Sequence, residues 1–466
     1  MIFSRKSKES KQRNLNIIIV GCGRVGTVLT EQLYAEGHDV TVIDSDPARM
    51  QQVTDLYDVM GIVGNGASYK VLEEAGVEEA DLIIAVTDLD ELNLLCCTIA
   101  RRSSRCAAIA RVRTPEYSAE VAYLKDKLQL AMVINPEYEA AKEIARMLSL
   151  PAALEVNSFA HASAEIIRFK IAEGNILDGM SLIDMGRKIE SDMLICVVER
   201  DSELVIPDGS FVLRSGDIVS FVSTMKAARR FFMRIGSKQF NIRKTMIIGG
   251  GKAAYYLGRR LIENGIGVKI IEKDKARCEH LSDILPEASI ICGDGTDEDL
   301  LEEEGIDSVD AFIPLTGLDE ENVLLTLHAA DVSSAKVITK IKRNTFRNVI
   351  NKLDLGSVIY PQYITAEVIT AYVRGLSQTK GNDNIETLYH LFNSRVEAAE
   401  FSVSAESNIC GVKLQDFHLK KNLLVAAIIR RGNVIIPGGS DTIEVGDNVI
   451  IVTTNLALKS LEDILQ

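Results

Sequence analysis

Positive charge is scarce in this chain. Its 466 residues carry 52 lysines and arginines against 66 aspartates and glutamates, a formal net charge of −14 at pH 7. That balance excludes a nucleic-acid binder, which needs a positive field to collect phosphates. Long apolar runs are missing as well. Nothing approaches the ~20 residues of a membrane-spanning helix, and the longest candidates, such as Leu423–Ile429, are the length of a strand. The first residues lack the apolar stretch of a secretory signal. Eight cysteines (22, 96, 97, 106, 196, 278, 292 and 410) form no CxxC and no metal-ligand spacing with the six histidines. They predict buried thiols in a reducing, cytoplasmic compartment and no metal site. No P-loop lysine motif, HExxH or GxSxG occurs. What is present, 47% apolar and 25% charged residues, is the balance of a soluble globular protein, and the length suits about three domains of roughly 150 residues. Residues 1–13 carry Arg5, Lys6, Lys8, Lys11 and Arg13 against Glu9 alone. They read as a solvated tail, with a weak contact to an anionic membrane surface or partner as the alternative.

The chain is written twice. Ile17–Gly26 returns as Thr245–Ala254, Gly21 pairing with Gly249 and Asp44 with Glu272 at an offset of 228. Gly64–Ala67 and Val71–Gly76 return as Gly293–Thr296 and Leu300–Gly305 at 229, Asp90–Asn93 as Asp319–Asn322, and Ile206–Ser210 as Ile436–Ser440 at 230. This is a tandem duplication of a larger part followed by a smaller one. In the larger part, apolar runs at Ile17–Val20, Val40–Ile43, Tyr57–Val63, Asp81–Thr87 and Ala107–Val112 alternate with helical periodicity, as in Val25–Glu36. Strands this apolar are covered on both faces, which predicts a doubly wound parallel sheet. Asp46-Pro47 supplies a helix cap and a first-turn proline. The smaller parts read as short strands, Ala164–Ile171, Met193–Glu199 and Ile218–Ser223, between turn signals. Helices at Pro136–Leu148 and Pro361–Arg374 link large to small. Tyr138, Ala141, Ala145 and Leu148 share one face, a stripe expected at a subunit contact. The predicted class is therefore α/β, two Rossmann-like lobes each followed by a small α+β lobe. The boundaries fall at 1–14, 15–135, 136–152, 153–236, 243–360, 361–383 and 384–466.

The glycine turns carry the chemistry. Gly21, Gly23 and Gly26 follow a strand, open a helix and precede an acid, Asp44, 23 positions after the first glycine. That is the full context of a dinucleotide fingerprint. The first glycine permits the turn, the second admits a pyrophosphate, the third lets helix and strand pack, and the helix N-terminus faces the phosphates. Asp44 is placed to accept from the adenosine ribose hydroxyls and repels a 2′-phosphate, which points to NAD(H) over NADP(H). A helix cap is its alternative, better filled by Asp46. The second turn, Gly249-Gly250-Gly251-Lys252-Ala253-Ala254, keeps its acid in Glu272. Lys273 and the early Tyr255-Tyr256 set it apart, so a different nucleotide is open there. Thr87-Asp88 and Thr316-Gly317 end their strands on the ligand edge or cap the next helix. Arg111 and Lys340 meet a phosphate or are solvated strand-end charges. Gly64-Asn65-Gly66 and Gly293-Asp294-Gly295 are turns first and ligand contacts second. The histidines (38, 161, 280, 328, 390 and 418) do not recur between copies, and no proton donor for hydride transfer stands out.

Two fingerprint lobes in tandem, each followed by a small lobe carrying Pro207-Asp208-Gly209-Ser210 or Pro437-Gly438-Gly439-Ser440, resemble the TrkA family. Its members are cytoplasmic regulatory proteins of Trk potassium-uptake systems in the KTN/RCK class, regulators of potassium conductance. The resemblance spans about residues 15–464. It implies a non-enzymatic subunit, peripheral on the inner face of the cell membrane, attached as a homotetramer to a Trk-type potassium-translocating membrane protein. The small lobes would be RCK-C domains, and NAD(H) and ATP/ADP the gating ligands. Nucleotide contacts would fall on Gly21, Cys22, Gly23, Arg24, Val25, Asp44, Thr87, Asp88 and Arg111, and on Gly249–Ala253 with Glu272. An NAD-dependent oxidoreductase and a regulator of a different channel or transporter are the rival readings.

Overall fold

A computed structural model describes residues 13–465 apart from 190–191, 238–240, 344–346, 351–352, 354, 378–382, 393, 404–408, 457 and 459. The basic segment 1–12 lies outside the described residues. Arg13 donates to Asp81 Oδ1 at 2.8 Å.

The apolar runs of the first large part form β1 (Asn16–Val20), β2 (Asp39–Asp44), β3 (Met60–Val63), β4 (Leu82–Ala85), β5 (Ala107–Arg111) and β6 (Met132–Ile134). All are parallel, in the order β3-β2-β1-β4-β5-β6. The order reverses between β1 and β4, and in such sheets the ligand crevice opens there, at the carboxyl ends. Alternate β1 side chains feed cores on the two faces: Ile17 and Ile19 on one, Ile18 and Val20 on the other. The second large part repeats the sheet with Lys244–Ile248, Gly267–Glu272, Ser289–Cys292, Ala311–Pro314, Lys336–Lys340 and Ser357–Ile359 in the same order. β3 begins at Met60 rather than Tyr57 because the helix Pro47–Leu56, capped by Asp46, closes on Tyr57. β6 went unread because it is three residues long, with Met132 and Val133 half-buried.

Each small part is a five-stranded antiparallel sheet. The first holds Glu155–Phe159, Ala164–Lys170, Met193–Arg200, Glu203–Val205 and Ile218–Ser223; the second holds Asp383–Leu391, Val396–Val403, Leu423–Arg430, Asn433–Ile435 and Asn448–Thr453. The two sheets bury one face against each other. Phe159, Ile166, Val197 and Val222 pack with Ala398, Ala426, Ile450 and Val452, and the Phe159 and Tyr389 rings meet edge-on at 5.1 Å.

The linking helices are exchanged. Ala140, Ala141, Ile144, Met147 and Leu148 of the helix Pro136–Leu148 leave the first repeat and complete the core of the second, against Ala254, Leu257 and Leu261. Ala366, Ile369 and Val373 of the helix Pro361–Ser377 return to the core of the first, beside Leu29 and Leu33. The stripe expected at a subunit contact is thus buried inside the chain, on the other repeat, and Tyr138 is 42% exposed. Burial of a side chain such as Ile369 or Val373 is worth roughly 1.5–3 kcal/mol. The cysteines depart from expectation too: six are buried, Cys410 is half-buried and Cys292 is exposed at the end of an edge strand.

Arg374, on the returning helix, binds two carboxylates from different units. Its Nη2 lies 2.6 Å from Glu36 Oε1 and 2.8 Å from Glu397 Oε1, and its side chain is 3% exposed. Burial alone would lower its pKa, but the two carboxylates drive it above the usual arginine value. Arg374→Ala strands two buried carboxylates and is expected to destabilise the protein by about 3–5 kcal/mol, read as a fall in the urea midpoint. Adding Glu36→Gln and Glu397→Gln should recover much of that loss. An unchanged midpoint for Arg374→Ala contradicts the assignment.

Candidate functional site

Both crevices open into one cavity of about 1600 Å³, well above the 300–1,000 Å³ of a single-ligand site. The exchanged helices hold the carboxyl ends of the two sheets face to face, so residues 228 positions apart in sequence line the same space. Gly21, Cys22, Gly23, Arg24, Val25, Asp44, Thr87, Asp88 and Arg111 line it from the first repeat, and Gly249, Gly251, Lys252, Ala253 and Glu272 from the second. Gly26 and Gly250 do not.

The glycines play distinct parts. Gly21 has φ +104, and a Cβ there would lie 2.9 Å from Thr87 N. A Cβ on Gly26 would come within 1.9 Å of the Gly21 carbonyl oxygen, so Gly26 sits beneath the turn and sets how closely helix meets strand. Gly23 and Gly251 are different. With φ −71 and −66 they have ordinary backbone as the N-caps of Arg24–Ala35 and Lys252–Glu263, and a Cβ on either meets nothing within 4 Å. Both helices start with free N–H groups facing the cavity, a natural anion site.

Each acid clamps its turn. Asp44 accepts from Cys22 N at 2.6 Å and Asp46 N at 2.9 Å, and Glu272 accepts from Gly250 N at 2.6 Å and Asp274 N at 2.8 Å. Asp46 fills the helix-cap role, accepting from Ala48 N and Arg49 N. The capping alternative for Thr87 and Asp88 fails, because Leu89 is the N-cap of Asp90–Ser103. Thr87 is instead held by Asn93, whose Oδ1 accepts from Thr87 N and Oγ1 at 2.8 and 2.7 Å while its Nδ2 donates to Arg111 O at 3.0 Å. Asn322 repeats this between Thr316 N and Lys340 O.

The strand-end cations are buried, not solvated. Arg111 donates to Thr87 O and to Asp88 Oδ1, and its side chain is 9% exposed. Burial, then repulsion from Arg113, pushes its pKa down. Lys340 donates to Leu315 O. Burial and neighbouring Lys342 push its amine down to about 7. Asn65 and Asp294 each fold back to accept from the N–H two residues on, and both line the cavity. These loops are turns and wall together.

Sequence reading missed Arg113, Glu137, Lys342, Arg343 and Gln362, all in the cavity wall. Lys252 Nζ donates to Thr114 Oγ1 at 3.1 Å and Tyr256 OH to Arg113 O at 3.0 Å, so Tyr256 locks the repeats together rather than filling the turn. A signal existed in the paired basic runs Arg111-Val112-Arg113 and Lys340-Ile341-Lys342, again at 229. In this acidic protein, the wall's cations Arg24, Arg49, Arg111, Arg113, Lys252, Lys273, Lys340, Lys342 and Arg343 outnumber its carboxylates Asp44, Asp88, Glu137, Glu272, Asp294 and Glu321. The cavity is built for an anion.

Comparison with known proteins agrees with this architecture. The TrkA-N domain family matches residues 17–136 and 245–361, and the TrkA-C domain family matches 166–236 and 398–466. The Trk system potassium uptake protein TrkA of Haemophilus influenzae is 32% identical over 94% of this chain and 95% of its own length. A TrkA homolog of Archaeoglobus fulgidus is 32% identical over 97% of this chain and the whole of its own. Among solved structures, the GsuK channel bound to NAD is similar in fold, with TM-score 0.61 and 18% identity over 95% of this chain and 77% of that one. The GsuK RCK domain has TM-score 0.61 and 16% identity over 98% and 96%. With both domain types matched twice and a relative of this identity along nearly the full length, the chain belongs to the TrkA family of potassium-uptake proteins.

Proposed function

We propose that this protein is the nucleotide-sensing regulatory subunit of a Trk-type potassium uptake system. NAD(H) binds at the first glycine turn, NAD(H) or ATP/ADP at the second, and occupancy gates a potassium-translocating membrane subunit. The observation that carries the reading is the single cation-rich cavity onto which both fingerprints open. The names of the relatives supply the potassium system. The protein works from the cytoplasmic face as a homotetramer, without catalysing a reaction of its own. Among the described residues no helix is long and apolar enough to cross a membrane, so translocation belongs to the partner.

A phosphate at either turn meets side chains of both repeats. Arg24, Lys340 and Lys342 share the cavity wall; burial first, and neighbouring cations including Arg24 after it, lower the pKa of both lysines, and an anion between them relieves that repulsion. Binding therefore favours the arrangement in which the lobes close on the ligand. A nucleotide shifts this equilibrium only by its difference in affinity for the two arrangements; a 100-fold difference supplies about 2.7 kcal/mol.

Gly23→Asp and Gly251→Asp test the sites one at a time. Neither Cβ clashes and aspartate is a good N-cap, so both variants should fold, yet each places a carboxylate where a phosphate must lie. Calorimetry should show NADH affinity at the first site falling more than 100-fold in Gly23→Asp, with Gly251→Asp affecting only the second ligand. Absorbance at 340 nm should stay constant throughout. Unchanged binding in Gly23→Asp, or steady oxidation of NADH, contradicts the reading.

Lys340 gives a pH signature. An amine near pKa 7 is largely neutral at pH 8, and a nearby phosphate stabilises its charged form. Binding at the second site should therefore take up a proton, and affinity should weaken as pH rises above about 7. Calorimetry at pH 8 in buffers of different ionisation enthalpy reads the uptake, and Lys340→Met should abolish it. Equal enthalpies in all buffers for the unmodified protein contradict this role.

A further inference from the structure

Cys278 and Cys292 stand apart from the other thiols. Cys278 lies on the helix Lys275–Ile284, and its Sγ donates to Glu272 O at 3.1 Å. Cys292 ends the edge strand Ser289–Cys292 and is the register partner of Glu272 on the neighbouring strand. Both thiols therefore flank Glu272, Cys278 through the carbonyl its Sγ reaches and Cys292 as its neighbour across the strand pair. Cys278 is 6% exposed and Cys292 is open to solvent. At the matching positions of the first repeat stand Met50 and Val63, so the shared fold does not require the pair.

Its surroundings connect it to the second cleft. Arg277, next to Cys278, donates through Nε to Gly250 O at 2.6 Å, and Glu272 Oε2 accepts from Gly250 N at 2.6 Å. Both polar groups of Gly250 in the glycine turn are therefore gripped by residues adjoining the thiols.

We infer that Cys278 and Cys292 form a redox modification site, oxidised to an internal disulfide by a small-molecule disulfide, which resets the second nucleotide turn. The exposed Cys292 thiolate attacks one sulfur of the reagent R–S–S–R; that bond breaks, R–S⁻ leaves, and a mixed disulfide forms. The Cys278 thiolate then attacks Cys292 Sγ, expels the second R–S⁻ and closes the protein disulfide. The two protons lost by the cysteines end on the two released thiols, so the reagent is reduced as the protein is oxidised. Closure removes the thiol donor from the Glu272 carbonyl and draws the helix toward the strand end, moving Arg277 with it. Burial first, and the Cys292 thiol next, hold the Cys278 pKa up at about 11, so closure should quicken as pH rises.

The effect on the turn rests on the nucleotide reading above; the disulfide does not. Full-length protein is treated with oxidised glutathione, alkylated under denaturing conditions and mapped by peptide mass spectrometry, and a parallel sample is titrated with NADH and ADP. A 278–292 cross-linked peptide is expected, with the other six cysteines alkylated. The ligand of the second turn should change affinity at least fivefold, reversed by a reducing agent and absent in Cys292→Ser. A mixed disulfide that persists on Cys292 while Cys278 stays alkylatable overturns the site, and a cross-link that leaves the titrations unchanged overturns its control of the turn. Absence of nucleotide binding in the reduced protein counts against the proposed function alone, because the cross-link is read without ligand.

Discussion

The burial of each linking helix on the opposite repeat is the contact from which the rest of the architecture follows. Ala140, Ile144 and Met147 of the first repeat, and Ala366, Ile369 and Val373 of the second, are each fully buried in the core of the other repeat. A chain built this way cannot open its two halves without exposing both stripes to water. The exchange turns the carboxyl ends of the two parallel sheets toward each other and makes one cavity out of two crevices. It also brings Lys252 against Thr114 and Tyr256 against Arg113.

A mechanical path leads away from that cavity. The helix Arg24–Ala35 begins at the first glycine turn, and Glu36 forms its C-terminal cap. Twelve helical residues make a rod of about 18 Å. At its far end Glu36 meets Arg374 of the returning helix, which also holds Glu397 on the second small lobe. Thr370 Oγ1 adds a hydrogen bond to Gln32 on the same rod. Under the proposed function, a ligand that tilts the helix N-terminus would act on a buried charge cluster joining three units. The small lobes themselves pack face to face through Phe159 and Tyr389.

Much of this was legible in the residues. The duplication, both doubly wound sheets and the glycine turns follow from apolar runs and glycine spacing, which are local. The position of Asp44 and Glu272 at the ends of their second strands was readable from spacing, but the reading made Asp44 a ribose acceptor and missed that each carboxylate grips its own glycine turn. What was not legible depends on which surfaces meet. The apolar stripe of Pro136–Leu148 shows that the helix needs a partner, but not that the partner is the other repeat of the same chain. Arg111 and Lys340 carry no mark of burial, since their strands end at the same length whether or not a second lobe covers them. Arg374 sits at the end of a periodic helix like many solvated arginines, and only its carboxylate partners, 338 positions away at Glu36 and 23 at Glu397, give it a role.

The central claim is that nucleotide in the shared cavity changes how the two repeats hold each other. Hydrogen–deuterium exchange of the full-length protein with and without saturating NADH tests it most directly, read along Pro136–Leu148 and Pro361–Ser377. Altered protection in both exchanged helices, together with the glycine turns, is the predicted result. Changes confined to the residues around Gly21–Gly26, with both linking helices exchanging as before, would contradict it.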